Sequence, residues 1–270
     1  MDIRERQQLI LGELDRHGAC SYEDLMERLA VSVMTVRRDI DRLAAEGKVI
    51  KTLGGAQKVN APAGFYESKL ANRLTSCAAE KRAIAFRALD LIDRPQTIFL
   101  DGSTTCLELA KLLAARRKGL TVVTNSVLAA LELGRGTDNR IIGIGGQYDP
   151  GNLTFVGPTA EDEAKRFFVD QAFFSTKGFL PAEGTFESAV ASFRIKQIIT
   201  GQCPCVTLLV DHSKFGQRAL CKVLDIGQIH RVVTDDQTAD RDVAVLKKNG
   251  KDVLTASDTG AAEGAGSHAS

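Results

Sequence analysis

From Thr97 onward short apolar runs alternate with helical stretches, and this alternation limits the fold more than any other feature of the 270-residue chain. Thr97-Ile98-Phe99-Leu100 precedes a helix over Leu107 to Leu113, and Thr121-Val122-Val123-Thr124 precedes one over Val127 to Leu133. Further strands are expected at Arg140 to Ile144, Gln171 to Phe174, Val206 to Val210, Arg231 to Thr234 and Asp252 to Thr255. Strands that alternate with helices build an open, mostly parallel α/β domain, and such domains take small ligands beyond the carboxyl ends of their strands.

Three of those ends are polar. Asp101-Gly102-Ser103-Thr104-Thr105 lies between the first strand and its helix, where hydroxyls and backbone N–H groups at a helix start suit a phosphate. Ser and Thr also cap helices for structural reasons alone, so the run by itself leaves both readings open. Thr124-Asn125-Ser126 and Asp211-His212-Ser213-Lys214-Phe215-Gly216 follow two other strands, and in a parallel sheet all three ends meet on one edge. Gly184 to Ser188 is expected to be a loop before a helix over Ser192 to Thr200, with Glu187 free to bind ligand hydroxyls and Lys196 a surface charge.

The amino-terminal region has a different period. Ile3, Leu9, Ile10 and Leu14 repeat at helical spacing up to His17-Gly18. Ser21 with Asp24 forms an approximate capping box for a second helix, whose inner face is Leu25, Met26 and Leu29. Ala30-Val31-Ser32 makes a short turn, and Ser32 caps a third helix. On that helix Val33, Val36, Ile40 and Leu43 face inward. Met34, Thr35, Arg38 and Arg42 face outward, with Arg37 on the flank. This is a helix-turn-helix whose second member is suited to a major groove. Lys48 to Leu53 and Gly54-Gly55 then suggest a β-wing, from which Lys48, Lys51 and Thr52 reach the sugar-phosphate backbone; the glycine pair alternatively serves as a hinge.

Charge is local rather than global. Thirty-five basic against 34 acidic residues leave a net +1, yet Met34 to Lys58 holds six basic and three acidic residues. DNA binding by such a chain depends on placement and symmetry, and is salt-sensitive. With no apolar run of membrane length and no leader-like start, a cytoplasmic protein is expected. The six cysteines lack zinc-site spacing and are read as reduced thiols, and no metal or other cofactor is implied.

Val-Ser-Val-Met-Thr-Val-Arg-Arg-Asp-Ile and Leu-Gly-Gly-Ala resemble the winged helix-turn-helix of the DeoR family of bacterial transcription regulators, over about Arg4 to Val59. Leu53 stands where that family often has histidine. The resemblance continues through Asp101 to Thr105, Val123-Thr124-Asn125, Gly145-Gly146, Lys177-Gly178 and Val210 to Gly216, in the order of the family's sensor domain, whose fold is similar to ribose-phosphate isomerases and CoA transferases. It implies domains over 1–59 (DNA binding), 60–75 (linker and start of a connecting helix) and 76–255 (effector sensing), followed by a disordered tail over 256–270. It implies DNA contacts from Ser32, Thr35, Arg37, Arg38 and the wing from Lys51 and Thr52 to Gly54 and Gly55, to which the helical wheel adds Arg42. For an effector, it implies Ser103, Thr104 and Thr105 on a phosphate, with Asp101, Asn125, Lys177, Asp211 and Lys214 around the sugar. Gly102 belongs to the phosphate turn, and Ser103 stands at a usual glycine position.

The expected function is thus a repressor of a carbohydrate or polyol catabolic operon, binding double-stranded operator DNA as a homodimer or homotetramer under control of a phosphorylated sugar or related metabolite. The alternative is a sugar-phosphate isomerase or transferase with an accessory DNA-binding domain, in which Asp101, Glu187 or Asp211 supplies a general base.

Overall fold

A computed structural model of the chain describes residues 2–17, 19–46, 48–52, 54–58, 70–93, 95–136, 138–188 and 190–257. It divides into two compact units, Met1–Ser68 and Lys69–Ser270. Of the expected linker and helix start over 60–75 only 70–75 is described; of the expected disordered tail over 256–270 only Ala256 and Ser257 are, and Ala256 is instead the buried last residue of the final strand, while Leu53 lies outside the described residues.

The first unit runs α1 (Ile3–His17), β1 (Ala19–Ser21), α2 (Tyr22–Leu29), α3 (Val33–Ala45), β2 (Val49–Thr52) and β3 (Gly55–Lys58). Its core is Ile10, Leu14, Leu25, Leu29, Val36, Ile40, Leu43 and Val49, with Val33 and Met26 packed at its edge. Burying each such aliphatic side chain contributes about 1.5 to 3 kcal/mol. Ser21 Oγ accepts from the Asp24 amide at 3.0 Å, and Ser32 Oγ from the Thr35 amide at 3.3 Å, so both inner helices begin where their caps stand. One expectation is corrected. Ile3 and Leu9 are exposed, because the inward stripe of α1 is Arg6, Ile10 and Leu14 at steps of four. The two expected wing strands are present as β2 and β3, and β3 pairs in addition with β1, all antiparallel.

The second unit opens with α4 (Leu70–Thr75) and α5 (Ala78–Leu89). The single helix expected there is broken at Cys77, whose φ of 49° is left-handed. Then follow β4 (Thr97–Leu100), α6 (Thr104–Arg116), β5 (Thr121–Thr124), α7 (Val127–Gly134), β6 (Arg140–Gly143), the hairpin β7 (Gln147–Asp149) and β8 (Thr154–Val156), α8 (Pro158–Ala164) and β9 (Gln171–Phe174). The remainder is β10 (Gly178–Leu180), β11 (Gly184–Glu187), α9 (Val190–Thr200), β12 (Val206–Leu209), β13 (Cys221–Asp225), β14 (Arg231–Asp235), α10 (Asp240–Lys248) and β15 (Asp252–Ala256).

Seven of these strands form one parallel sheet in the order β15-β14-β12-β9-β4-β5-β6. Alternate residues serve opposite faces. Ile98, Leu100, Val122, Phe173, Leu209 and Val233 pack against α5, α6 and α7, while Phe99, Val123, Phe174, Leu208 and Val232 pack with α8, α9 and α10. A sheet covered on both faces requires the continuous apolar runs seen in its sequence. The stretch Gly184–Glu187, expected as a loop, is the central strand of a small antiparallel sheet, β10-β11-β13. From β4 the order runs outward through β5 and β6, and from β9 it runs the other way through β12, β14 and β15. The carboxyl ends of β4 and β9 therefore flank the switch point of the sheet, where open α/β folds bind ligands.

Candidate nucleic-acid interface and effector site

The exposed side of α3 carries Met34, Arg37, Arg38 and Arg42, with Ser32 and Thr35 at its start. Ser32 Oγ and Thr35 Oγ1 are 3.0 Å apart and satisfy each other. The Arg37 guanidinium lies over the ring of buried Tyr22, 5.0 Å from its centroid. Such a contact holds a cation in place while leaving its N–H groups open. Asp39, on the inward stripe, is buried and accepts from Arg6 Nε; this hydrogen bond raises the Arg6 pKa and ties α1 to α3. On the wing, Lys51 Nζ donates to Asp41 Oδ1 of α3 at 2.5 Å, both side chains being exposed. Thr52 pairs with Gly55 across the wing turn, and Gly54 is exposed. Gly55 is buried, and a Cβ there would stand 2.0 Å from the Cys20 carbonyl oxygen. Its glycine is thus required by the close approach of β1, a structural reason independent of any DNA contact.

At the switch point, Asp101 follows β4 and is buried. Its Oδ1 accepts from the Ser103 amide and its Oδ2 from the Ser175 amide, each at 3.0 Å. Lys196 of α9, expected on the surface, is instead the centre of the cluster. Its Nζ reaches Asp101 Oδ2 at 3.1 Å, Glu187 Oε1 at 2.5 Å and the Ser175 carbonyl at 2.7 Å. Burial alone would raise the Asp101 carboxyl pKa, but Lys196 and the Ser103 and Ser175 donors hold it below the ordinary carboxylate value. Burial would likewise lower the Lys196 pKa, and its two carboxylates push it above the ordinary lysine value instead. Glu187 is consequently a buried ion-pair partner.

Ser103 caps α6, its Oγ accepting from the Cys106 amide at 3.2 Å. Thr104 and Thr105 are buried behind it, with Thr105 Oγ1 3.5 Å from Ser175 Oγ. A Cβ on Gly102 would fall 2.2 Å from Thr154 Cγ2, so only glycine lets the β7–β8 hairpin lie against this turn. Asn125 Nδ2 donates to the Phe155 carbonyl at 3.0 Å, and Lys177 Nζ to Ser188 Oγ at 2.6 Å.

The end of β12 holds a second cluster. Asp211 is fully buried; its Oδ1 accepts from the Ser213 amide and hydroxyl, while its Oδ2 has no hydrogen-bond partner among the described residues. Lys81 of α5 is buried within electrostatic reach of Asp211, Lys214 and Arg73, and donates to the Arg73 and Ser76 carbonyls at 2.5 and 2.6 Å. Burial lowers the Lys81 pKa, an effect that Asp211 opposes. Arg73 of α4 in turn donates to Asn152 Oδ1 on the β7–β8 turn.

The structure therefore brings Asp101, Ser103, Thr104, Thr105 and Glu187 together beyond the carboxyl ends of β4 and β9, and puts Asn125 after β5 and Asp211 with Lys214 after β12. Sequence reasoning missed Lys81, Ser175 and the role of Lys196. Among the described residues no group of three or more His, Cys, Asp or Glu is arranged to hold a metal, and no helix is long and apolar enough to cross a membrane. All six cysteines are free thiols.

Comparisons with known proteins agree with this division. A DeoR-like helix-turn-helix domain matches residues 6–61, and a DeoR C-terminal sensor domain matches residues 76–236. The uncharacterised HTH-type transcriptional regulator YulB of Bacillus subtilis is 31% identical over 238 residues, covering 87% of this chain and 90% of that one. The transcriptional repressor AccR of Agrobacterium fabrum is 32% identical, covering 87% and 86%. The L-fucose operon activator of Escherichia coli is 28% identical, covering 86% and 95%. Among solved structures, ribose 5-phosphate isomerase A of Methanocaldococcus jannaschii aligns over 52% of this chain and 55% of that one, with a TM-score of 0.40 at 16% identity.

Proposed function

The chain belongs to the DeoR family of transcription regulators, and we propose that it represses a carbohydrate or polyol catabolic operon under control of a phosphorylated sugar or related metabolite. The observation that carries the effector reading is the gathering of polar groups at the switch point, with a Ser-Thr-Thr helix start on one strand end and Asp211, within electrostatic reach of Lys81, on another. A phosphate suits the first group of residues, and a hydroxyl donor suits the second. The exposed guanidinium groups of α3 support docking in a major groove, with Arg38 and Thr35 toward base edges and Ser32, Arg37, Arg42 and Lys51 toward phosphates. Two-fold oligomers fit inverted half-sites.

Control is by linkage. An effector that favours a conformation with poorly placed recognition helices weakens operator binding, and operator weakens effector binding by the same factor. Relatives include a named repressor and a named activator. The isomerase or transferase alternative is not favoured. The named relatives are transcription regulators, and both Asp101 and Glu187 are ion-paired with Lys196.

A thermal-shift screen of phosphorylated sugars and polyols tests the effector, because a ligand of the folded state raises Tm by mass action. Loss of that shift in Thr104→Ala supports the switch point as the site; an unchanged shift moves the site elsewhere. Arg38→Ala is expected to cost about 1 to 3 kcal/mol of operator affinity in a mobility-shift titration.

A further inference from the structure

Most polar side chains of α3 are already engaged inside the first unit. Ser32 and Thr35 bond each other, Arg37 rests on Tyr22, Asp39 is buried against Arg6, and Asp41 holds Lys51. Of the exposed side chains of α3, Met34, Arg38 and Arg42 have no such contact among the described residues, and they repeat at intervals of four and so make one stripe along the helix. Met34 is 60% exposed, more than the other exposed large apolar side chains of this unit, Ile3, Leu9 and Ile50. Nothing in the unit's core needs it, since Val36, Ile40 and Leu43 fill the opposite face.

We propose that Met34 is a specificity-determining residue that packs on the C5-methyl group of a thymine in the operator. The inference rests on the DNA-docking reading of α3 given above. Its physical basis is that a major groove offers guanidinium groups several acceptors but offers an apolar side chain one prominent partner, the thymine methyl. An unbranched, polarizable thioether suits that small protruding group. The two arginines that share the stripe with Met34 favour a polyanion as the occupant over a second copy of this locally basic surface. Four residues of helix rise about 6 Å and base pairs rise about 3.4 Å, so the thymine lies about two base pairs from the pair contacted by Arg38.

The test uses the full chain. Preferred duplexes are selected from a random pool, and each thymine of the selected site is replaced singly by deoxyuridine, which removes the methyl group and nothing else. Burial of one methyl predicts about a four-fold loss of affinity at one thymine per half-site for the unsubstituted chain. The same replacement is expected to change binding by Met34→Ala less than about two-fold. Met34→Ala keeps the fold, checked by circular dichroism, because the site is exposed and alanine favours helix. Indifference of the unsubstituted chain to deoxyuridine at every position overturns the proposal, as does an equal loss in Met34→Ala. A shift of oligomeric state in Met34→Ala with deoxyuridine sensitivity intact also overturns it, in favour of a protein contact. A pool that yields no preferred sequence overturns the DNA-docking reading, and this proposal with it.

Discussion

The two units handle charge in opposite ways. On the DNA-binding unit Arg37, Arg38, Arg42 and Lys51 are exposed, whereas in the sensor unit Asp101, Glu187, Lys81 and Asp211 are buried. Exposed charges cost the fold little and remain available to a polyanion, at the price of sensitivity to salt. Buried ones must be matched within the protein, so each becomes part of the architecture that it serves. Arg6–Asp39 is the exception that crosses this division, a buried pair inside the unit that otherwise keeps its charge outside.

The contrast is most exposed to failure at Lys196. Lys196→Met leaves two buried carboxylates facing each other, and is expected to destabilise the sensor unit by about 3 to 5 kcal/mol in urea unfolding. A loss below about 1 kcal/mol would mean that this cluster is solvated and the contrast is false. Next is Arg6→Met, expected to cost the DNA-binding unit about 2 to 3 kcal/mol by stranding Asp39, with the sensor unit's transition unmoved. A smaller effect concerns acid. Because the Asp101 pKa is held down in the fold, its stabilisation is complete above the ordinary carboxylate range and disappears as pH falls through its depressed value. The urea midpoint should therefore drop more steeply below about pH 4 for the parent chain than for Asp101→Asn. Least of all, Lys51→Gln should leave the melting temperature where it was, since its partner Asp41 is exposed too, while flattening the salt dependence of operator binding. A clear drop in Tm would show that the wing depends on that pair.

Much of this was legible in the chain. The strands Thr97–Leu100, Thr121–Thr124 and Gln171–Phe174 stand where apolar runs marked them, because a sheet packed on both faces leaves a continuous signature. Ser21, Ser32 and Ser103 cap the helices they precede. What escaped was charge on apolar stripes. Asp39 falls in line with Val36, Ile40 and Leu43, and Lys81 with Ile84, Ala85 and Ala88, yet a charged residue in a helix is ordinarily solvated. Only the partner, distant in sequence, makes burial tolerable: Arg6 lies 33 residues from Asp39, and Glu187 and Asp101 reach Lys196 from separate strands. The short antiparallel strands Gly178–Leu180, Gly184–Glu187 and Cys221–Asp225 were equally silent, because they are brief and the third joins the hairpin of the first two only across a long interval.

Donor arithmetic separates the two interior lysines. An ammonium has three N–H groups. Lys196 spends all of its complement on Asp101, Glu187 and the Ser175 oxygen, so it holds these groups in place with nothing left to offer a visitor. Lys81 spends two, on the oxygens of Arg73 and Ser76, and its third has no partner among the described residues. If the proposed effector placed an anionic group beside Lys81, one hydrogen bond to it would leave the end of α4 undisturbed, whereas two would require Lys81 to release Arg73 or Ser76.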